Sequence, residues 1–97
     1  MAEQNLFEVT SEHITLDANK KSSLSLNQKD PSATLKVKKN VIEIKDNIVL
    51  NCDKSTITLQ PSTIELKCGG SSIKLTPTGI TINATKVTVK GTSIDLG

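Results

Sequence analysis

The sequence predicts an all-β chain of short strands stacked one upon another, each turning two aliphatic side chains to the same side. Three observations predict it. Apolar residues recur in pairs with one residue between them, and the pairs Ile73-x-Leu75, Ile80-x-Ile82, Val87-x-Val89 and Ile94-x-Leu96 follow at seven-residue steps. Ile, Val and Thr supply 28 of the 97 residues, and these β-branched types favour extended backbone. Turn-forming residues separate the pairs. A seven-residue beat also describes a coiled coil, but a helical seam needs apolar residues three and four apart. Residues two apart lie on roughly opposite sides of a helix and on one face of a strand.

The elements divide the chain into three stretches. Residues 1–12 read as an N-terminal extension or an added start. Residues 13–40 read as an irregular β segment, with Ile14-x-Leu16, Leu24-x-Leu26 and Leu35-x-Val37 at uneven steps. The longer steps surround Lys20-Lys21-Ser22-Ser23 and Gln28-Lys29-Asp30-Pro31 and predict real loops there. Residues 41–97 read as a regular repeat of seven to eight residues, adding Ile42-x-Ile44, Ile48-x-Leu50, Ile57-x-Leu59 and Ile64-x-Leu66 to the four pairs above. A sixteen-residue superperiod runs through this stretch: Ile48, Ile64 and Ile80 align, as do Leu50, Leu66 and Ile82, and Pro61 with Pro77. Repetition of this kind marks a solenoid-like architecture.

The corners carry turn chemistry: Lys45-Asp46-Asn47, Asp53-Lys54-Ser55, Pro61-Ser62-Thr63, Gly69-Gly70-Ser71, Pro77-Thr78-Gly79, Ala84-Thr85-Lys86 and Gly91-Thr92-Ser93. Gly and Asn tolerate positive φ, and Pro presets a bend. Gly70, Pro77, Ala84 and Gly91 fall seven apart, which predicts a corner where only a compact residue clears the next layer. Between and beside the pairs stand Thr, Ser, Lys, Glu, Asn and Asp, the alternation of a half-buried sheet.

Composition narrows the interior and the function. There is one Phe and no Trp or Tyr, so the space between walls is filled by Ile, Leu and Val and is narrow. Net charge is +2 with both signs interspersed, unlike the clustered basic patch or the aromatic platforms of a nucleic-acid binder. No apolar run approaches the ~20 residues of a membrane helix. The opening Met-Ala-Glu-Gln-Asn lacks the basic and apolar regions of a signal peptide, which predicts synthesis in the cytoplasm and export, if any, by another route.

Candidate chemical sites are few. Cys52 and Cys68 extend the series Ile48-x-Leu50-x-Cys52 and Ile64-x-Leu66-x-Cys68, so they read as small core residues rather than a C-x-x-C motif. His13 has no second histidine near it and reads as a surface residue beside Glu12. No hydrolase motif or phosphate-binding loop is present, and neither an enzyme nor a cofactor is expected. The doublets Lys20-Lys21 and Lys38-Lys39 read as solubilising charges, with contact to anionic lipid heads a minor alternative.

A ribbon of two-position strands has nothing to bury its inner face against, and each of its strands is an edge. Intertwining several copies supplies both. With a narrow, aromatic-free interior, three copies around one axis form the expected closure, each contributing one wall of a triangular prism. A two-chain sandwich and a single-chain three-sided solenoid stay open. The side chains expected on the axis are Ile48, Leu50, Cys52, Ile57, Leu59, Ile64, Leu66 and Cys68, continued by Ile73, Leu75, Ile80, Ile82, Val87 and Val89.

The segment Ser72-Ile-Lys-Leu-Thr-Pro-Thr-Gly79-Ile-Thr-Ile-Asn83, with Lys86-Val-Thr-Val-Lys-Gly91 after it, resembles the C-terminal spike of the VgrG proteins, the valine-glycine repeat proteins of type VI secretion. Val89-Lys-Gly91 is similar to the valine-glycine step itself. The likeness covers residues 41–97 and is weaker over 8–40; contractile-phage central spikes share it. It implies an all-β fold, an intertwined homotrimeric triangular β-helix or β-prism, acting as a cell-puncturing needle at the tip of a contractile injection tube. It implies export by that apparatus, transient contact with a target membrane, and a PAAR-repeat protein or effector capping the blunt end at Ile94, Asp95, Leu96 and Gly97. A tube protein would be met through N-terminal domains that 97 residues cannot hold, so the chain reads as an excised needle. Phage spikes with a sharp apex use a His-x-His iron site; His13 alone, near the other end, favours the capped form. A non-piercing adaptor is the alternative.

Overall fold

The computed structural model describes residues 4–97. It is one open antiparallel sheet of ten strands whose spatial order is their chain order, not closed into a barrel. The strands are β1 (Asn5–Val9), β2 (His13–Ala18), β3 (Ser22–Asn27), β4 (Ser32–Val37), β5 (Asn40–Ile44), β6 (Ile48–Cys52), β7 (Ser55–Leu59), β8 (Ile64–Cys68), β9 (Ser71–Thr76) and β10 (Gly79–Asn83). The strands are five or six residues long and joined by connections of two to four residues, so the whole is a meander of hairpins. The all-β class and the short strands match the expectation from the sequence.

The connections explain why the chain reverses where it does. On one side of the sheet the turns contain Asn19 and Lys20, Lys38, Asp53 and Gly69, and all of these have positive φ. The turns at 38–39, 53–54 and 69–70 have two residues each and take the positive φ favoured in tight hairpins; the two-residue turn at 77–78 does without it. Asp17 Oδ1 accepts from the Lys20 amide at 2.6 Å and tightens the 19–21 turn. On the opposite side the turns lean on side chains. Asn27 Oδ1 accepts from the Asp30 amide. Thr76 Oγ1 accepts from the Gly79 amide at 3.2 Å across Pro77-Thr78, with Pro77 presetting its bend.

The stretch 13–40 has the same architecture as the rest. Lys20-Lys21-Ser22-Ser23 contributes to a three-residue turn and then the start of β3, and Gln28–Pro31 is a four-residue connection. Residues 5–9, within the stretch read as an extension, form β1 and pair with β2 from Asn5↔Ala18 to Val9↔Ile14. Residues 84–97 contain no strand, although Val87-x-Val89 and Ile94-x-Leu96 carry the strand pattern. A side chain added at Gly70 meets nothing within 4 Å, and at Gly91 only ordinary contacts from 3.5 Å. The compact corner is therefore not imposed by the chain's own neighbouring layer.

Nine strand-to-strand steps of about 4.8 Å span about 43 Å, the larger part of the longest extent of 60 Å; the other extents are 32 and 23 Å. The sheet is a single layer. Among the described residues none is buried, apolar or polar.

Candidate functional site: one apolar face

The register arranges the two-apart pairs into rows that cross the entire sheet. One row reads Phe7, Leu16, Leu24, Leu35, Ile42, Leu50, Ile57, Leu66, Ile73, Ile82, each directly opposite the next. The second reads Val9, Ile14, Leu26, Ala33, Ile44, Ile48, Leu59, Ile64, Leu75, Ile80. Every strand contributes one residue to each row, and no polar residue interrupts either. Successive residues of a strand point to opposite faces, so both rows lie on one face. A slip of one residue in any strand would break both rows and turn polar side chains inward.

A third row on the same face lies against the tight turns: Ser22, Val37, Asn40, Cys52, Ser55, Cys68, Ser71. It is mixed and mostly small. Cys52 and Cys68 are both free and exposed. They flank Ser55 from either side, and its hydroxyl donates to Cys68 Sγ at 3.4 Å. Two strand spacings, about 9–10 Å, separate the cysteines, beyond the reach of a disulfide within one chain.

The opposite face is mainly polar, with Leu6, Val41 and Val49 as apolar members. Glu8, Thr15, Ser25, Thr34 and Glu43 begin one of its rows, and Thr58, Glu65, Lys74 and Thr81 end it. Glu65 stands opposite Lys74, an arrangement that favours this register over one with like charges opposed. Neither face is covered: Thr15, Glu43, Thr58 and Glu65 are half-buried, as are Leu24, Leu50, Leu59 and Leu75, whereas Leu16, Ile42, Ile57 and Leu66 are exposed. Across β4 to β9 the apolar face forms an open trough of about 570 Å³, lined along its floor by Leu35, Ile42, Leu50, Ile57, Leu66 and Ile73. A single-layer sheet with one wet aliphatic face is a surface that requires a cover.

The structure thus brings together most of the residues expected on the axis. Ile48, Leu59, Ile64, Leu75 and Ile80 share one row; Leu50, Ile57, Leu66, Ile73 and Ile82 share the other; Cys52 and Cys68 lie in the third. Val87, Val89 and the group Ile94–Gly97 lie outside the sheet. Phe7 and Val9 complete both rows at the β1 end. Their own two-apart spacing was the signal for them.

His13 is held in the β1–β2 hairpin rather than paired with Glu12. Its Nε2 meets Glu8 Oε1 at 2.6 Å and its Nδ1 lies 3.2 Å from Thr10 Oγ1. The Thr10 hydroxyl oxygen also accepts from the amides of Glu12 and His13, at 3.2 and 3.0 Å. The group sits in solvent at the turn, with 37 % and 46 % of the His13 and Glu8 side chains exposed. Its geometry staples a turn: the hydroxyl is occupied by main-chain donors. No group of three or more His, Cys, Asp or Glu among the described residues has the arrangement of a metal site.

Comparison with known protein families, with curated proteins and with solved structures finds no match for this chain.

Proposed function

We propose that the protein is a structural spike: three copies bring their apolar faces to a common axis and form a rigid triangular needle. The observation that carries this reading is the pair of uninterrupted ten-residue apolar rows on a face with no cover of its own. Burial of apolar side chains is the main driving force of association, at about 25 cal/mol for each Å² removed from water. A narrow triangular interior suits rows of Ile, Leu and Val with a single aromatic residue at one end. Main-chain pairing from β1 to β10 lies within one chain, so there the walls meet through side chains. The mixed row with Cys52 and Cys68 then lies toward a seam between walls.

The residue likeness to VgrG spikes supports placing this needle at the tip of a contractile injection apparatus, in a secretion system or a phage tail. Its work is mechanical, breaching a target envelope, and its C-terminal end, Ile94 to Gly97, carries a PAAR-type tip or an effector. Stiffness suits that work: bending the shaft would shear both the in-chain ladders and the dry axis. Light scattering on the purified chain tests the assembly, with an expected mass of about three times 10.4 kDa. A mass of one chain at every concentration would refute it. Removing Ile94–Gly97 and measuring retention of a PAAR-type protein tests the capped end; undiminished retention would refute that assignment.

A further inference from the structure

We infer that the margin of the sheet bearing the tight turns is a docking rim for a membrane surface rich in anionic phosphate headgroups, bound through lysine side chains. The inference stands apart from the self-assembly proposed above, because these turns lie at the strand ends and not on the apolar face.

The ground for it is a separation of charge that the register creates. Along the sequence the two signs are interspersed, but across the sheet they part. The turns at 19–21, 38–39 and 53–54 hold Lys20, Lys21, Lys38, Lys39 and Lys54. The polar-face row nearest them, which starts at Leu6 and Asp17 and ends at Ser72 and Asn83, adds Lys36 and Lys67. Against these seven lysines this half of the sheet has two acids, Asp17 and Asp53, which leaves a net charge of +5. The other half reverses the balance. There six acids, Glu8, Glu12, Asp30, Glu43, Asp46 and Glu65, stand against three lysines, Lys29, Lys45 and Lys74, a net charge of −3.

Two further observations mark the rim. Its five turn lysines are exposed, and among the described residues no lysine is ion-paired, the one such contact being Glu8 with His13. Lys20 and Lys38 are also held at positive φ, 60° and 56°, where Gly, Asn and Asp are the usual occupants. Asp53 and Gly69 fill the position of Lys38 in the next two turns, so the turn geometry itself does not call for a lysine. Strain of this kind points to a role for the residue that bears it.

Chemistry and shape choose the partner. Every cation of the chain's 12 Lys and Arg is lysine, a point charge without the planar fork by which arginine selects one partner geometry. A linear polyanion is held in a basic groove and stacks on aromatic side chains. This rim has no aromatic residue, and none of its five turn lysines lines the apolar trough or the cavity over β1 to β4. Two-residue turns end a sheet bluntly, so the lysines stand on a convex margin that a flat surface can meet. Successive tight turns lie two strands apart, about 9–10 Å, and clusters of about 4–8 lysines are what anionic lipid surfaces attract. The acidic half is repelled by the same surface, so the sheet meets it rim first.

Co-sedimentation of the full chain with vesicles tests this, using phosphatidylcholine alone or mixed with phosphatidylglycerol. Binding is expected only to the mixed vesicles, and to weaken as salt is raised. The triple variant Lys38→Asn, Lys39→Gln, Lys54→Gln removes three rim charges, with Asn suited to the left-handed position of Lys38. Each lysine near an anionic surface counts for about fivefold in affinity, so a loss of about 100-fold is expected. The triple variant Lys29→Gln, Lys45→Gln, Lys74→Gln removes the same net charge from the acidic half and is expected to change affinity by less than about fivefold. Equal losses would overturn the inference, since net charge alone would then account for binding. So would equal binding to uncharged vesicles, which the apolar face would explain, or no binding to either kind. Displacement from mixed vesicles by a single-stranded oligonucleotide at equal phosphate would overturn it as well and reassign the rim to a polymer. Amine acetylation of the unaltered chain is a measure free of any folding defect. Mixed vesicles are expected to shield Lys20, Lys21, Lys38, Lys39 and Lys54 and to leave Lys29, Lys45 and Lys74 reactive; uniform reactivity would overturn the inference. The light-scattering mass is a separate reading, so the rim and the self-assembly stand or fall independently.

Discussion

Ile80 and Thr81 are adjacent in β10 and face opposite ways: Ile80 ends an apolar row opposite Leu75, and Thr81 ends a polar row opposite Lys74. An aspartate therefore has different consequences one residue apart. Ile80→Asp would place one carboxylate per copy on the dry axis, at a cost of several kcal/mol each, and assembly is expected to be lost. Thr81→Asp sets a carboxylate opposite an ammonium in solvent and is expected to change stability by no more than about 0.5 kcal/mol. Light scattering on both variants checks the pair, and an Ile80→Asp chain that still associates would show that the apolar face is not the interface. At the other end, Thr10 is the residue on which the first hairpin depends, because its hydroxyl accepts from two amides that the turn otherwise leaves unpaired. Thr10→Ala is expected to cost about 1 kcal/mol and to speed amide exchange across β1, while His13→Ala, which removes an exposed ion contact, is expected to cost less. Equal effects from the two would mean that the Glu8–His13 contact, not the hydroxyl, holds the turn.

Strands and turns differ in how plainly the sequence specifies them. A pair such as Ile57-x-Leu59 states which way its strand faces, and all nine pairs from Ile14-x-Leu16 to Ile80-x-Ile82 lie on one face as their spacing requires. The same pair does not state which strand lies beside it, since that depends on the turn. Lys38-Lys39 shows the difficulty, because nothing in two lysines announces a tight reversal, yet Lys38 is at φ 56°. The uneven steps over 13–40 reflect turns of two, three and four residues, not a different architecture. In 84–97 the alternation of a strand is present yet the segment joins no ladder, because alternation alone does not fix which strand lies beside it. The turns make their own prediction. Lys38→Gly would release a left-handed conformation that costs an L-residue about 1–2 kcal/mol, less the extra chain entropy of Gly at about 0.5–1 kcal/mol, for a net gain of up to about 1.5 kcal/mol in thermal unfolding. Gly69→Ala, at φ 59° with open space around the added carbon, is expected to lose about 1 kcal/mol through strain alone. Gly70→Ala, without positive φ and equally uncrowded, is expected to be near neutral in the single chain. A loss at Gly70 that appears only on assembly would place the compact corner against a neighbouring copy.

At the scale of the molecule, the decisive property is that a folded single chain leaves its only apolar face in water. In the proposed assembly, stability belongs to the copies together and follows mass action. If three chains form one folded unit, each tenfold dilution removes two factors of ten from the folded-to-unfolded balance. At about 1.4 kcal/mol per factor, that is about 0.9 kcal/mol per chain, against about 0.7 for a two-chain sandwich. A single-chain solenoid shows no dependence. Melting temperature measured over three decades of concentration therefore reports the number of walls without a crystal. The expectation is a rise with concentration whose slope fits three chains. A slope fitting two would keep the apolar rows as the interface but flatten the prism into a pair of facing sheets. A melting temperature independent of concentration would mean that the rows find their cover within one chain, and the open meander would not be the folded state that melts.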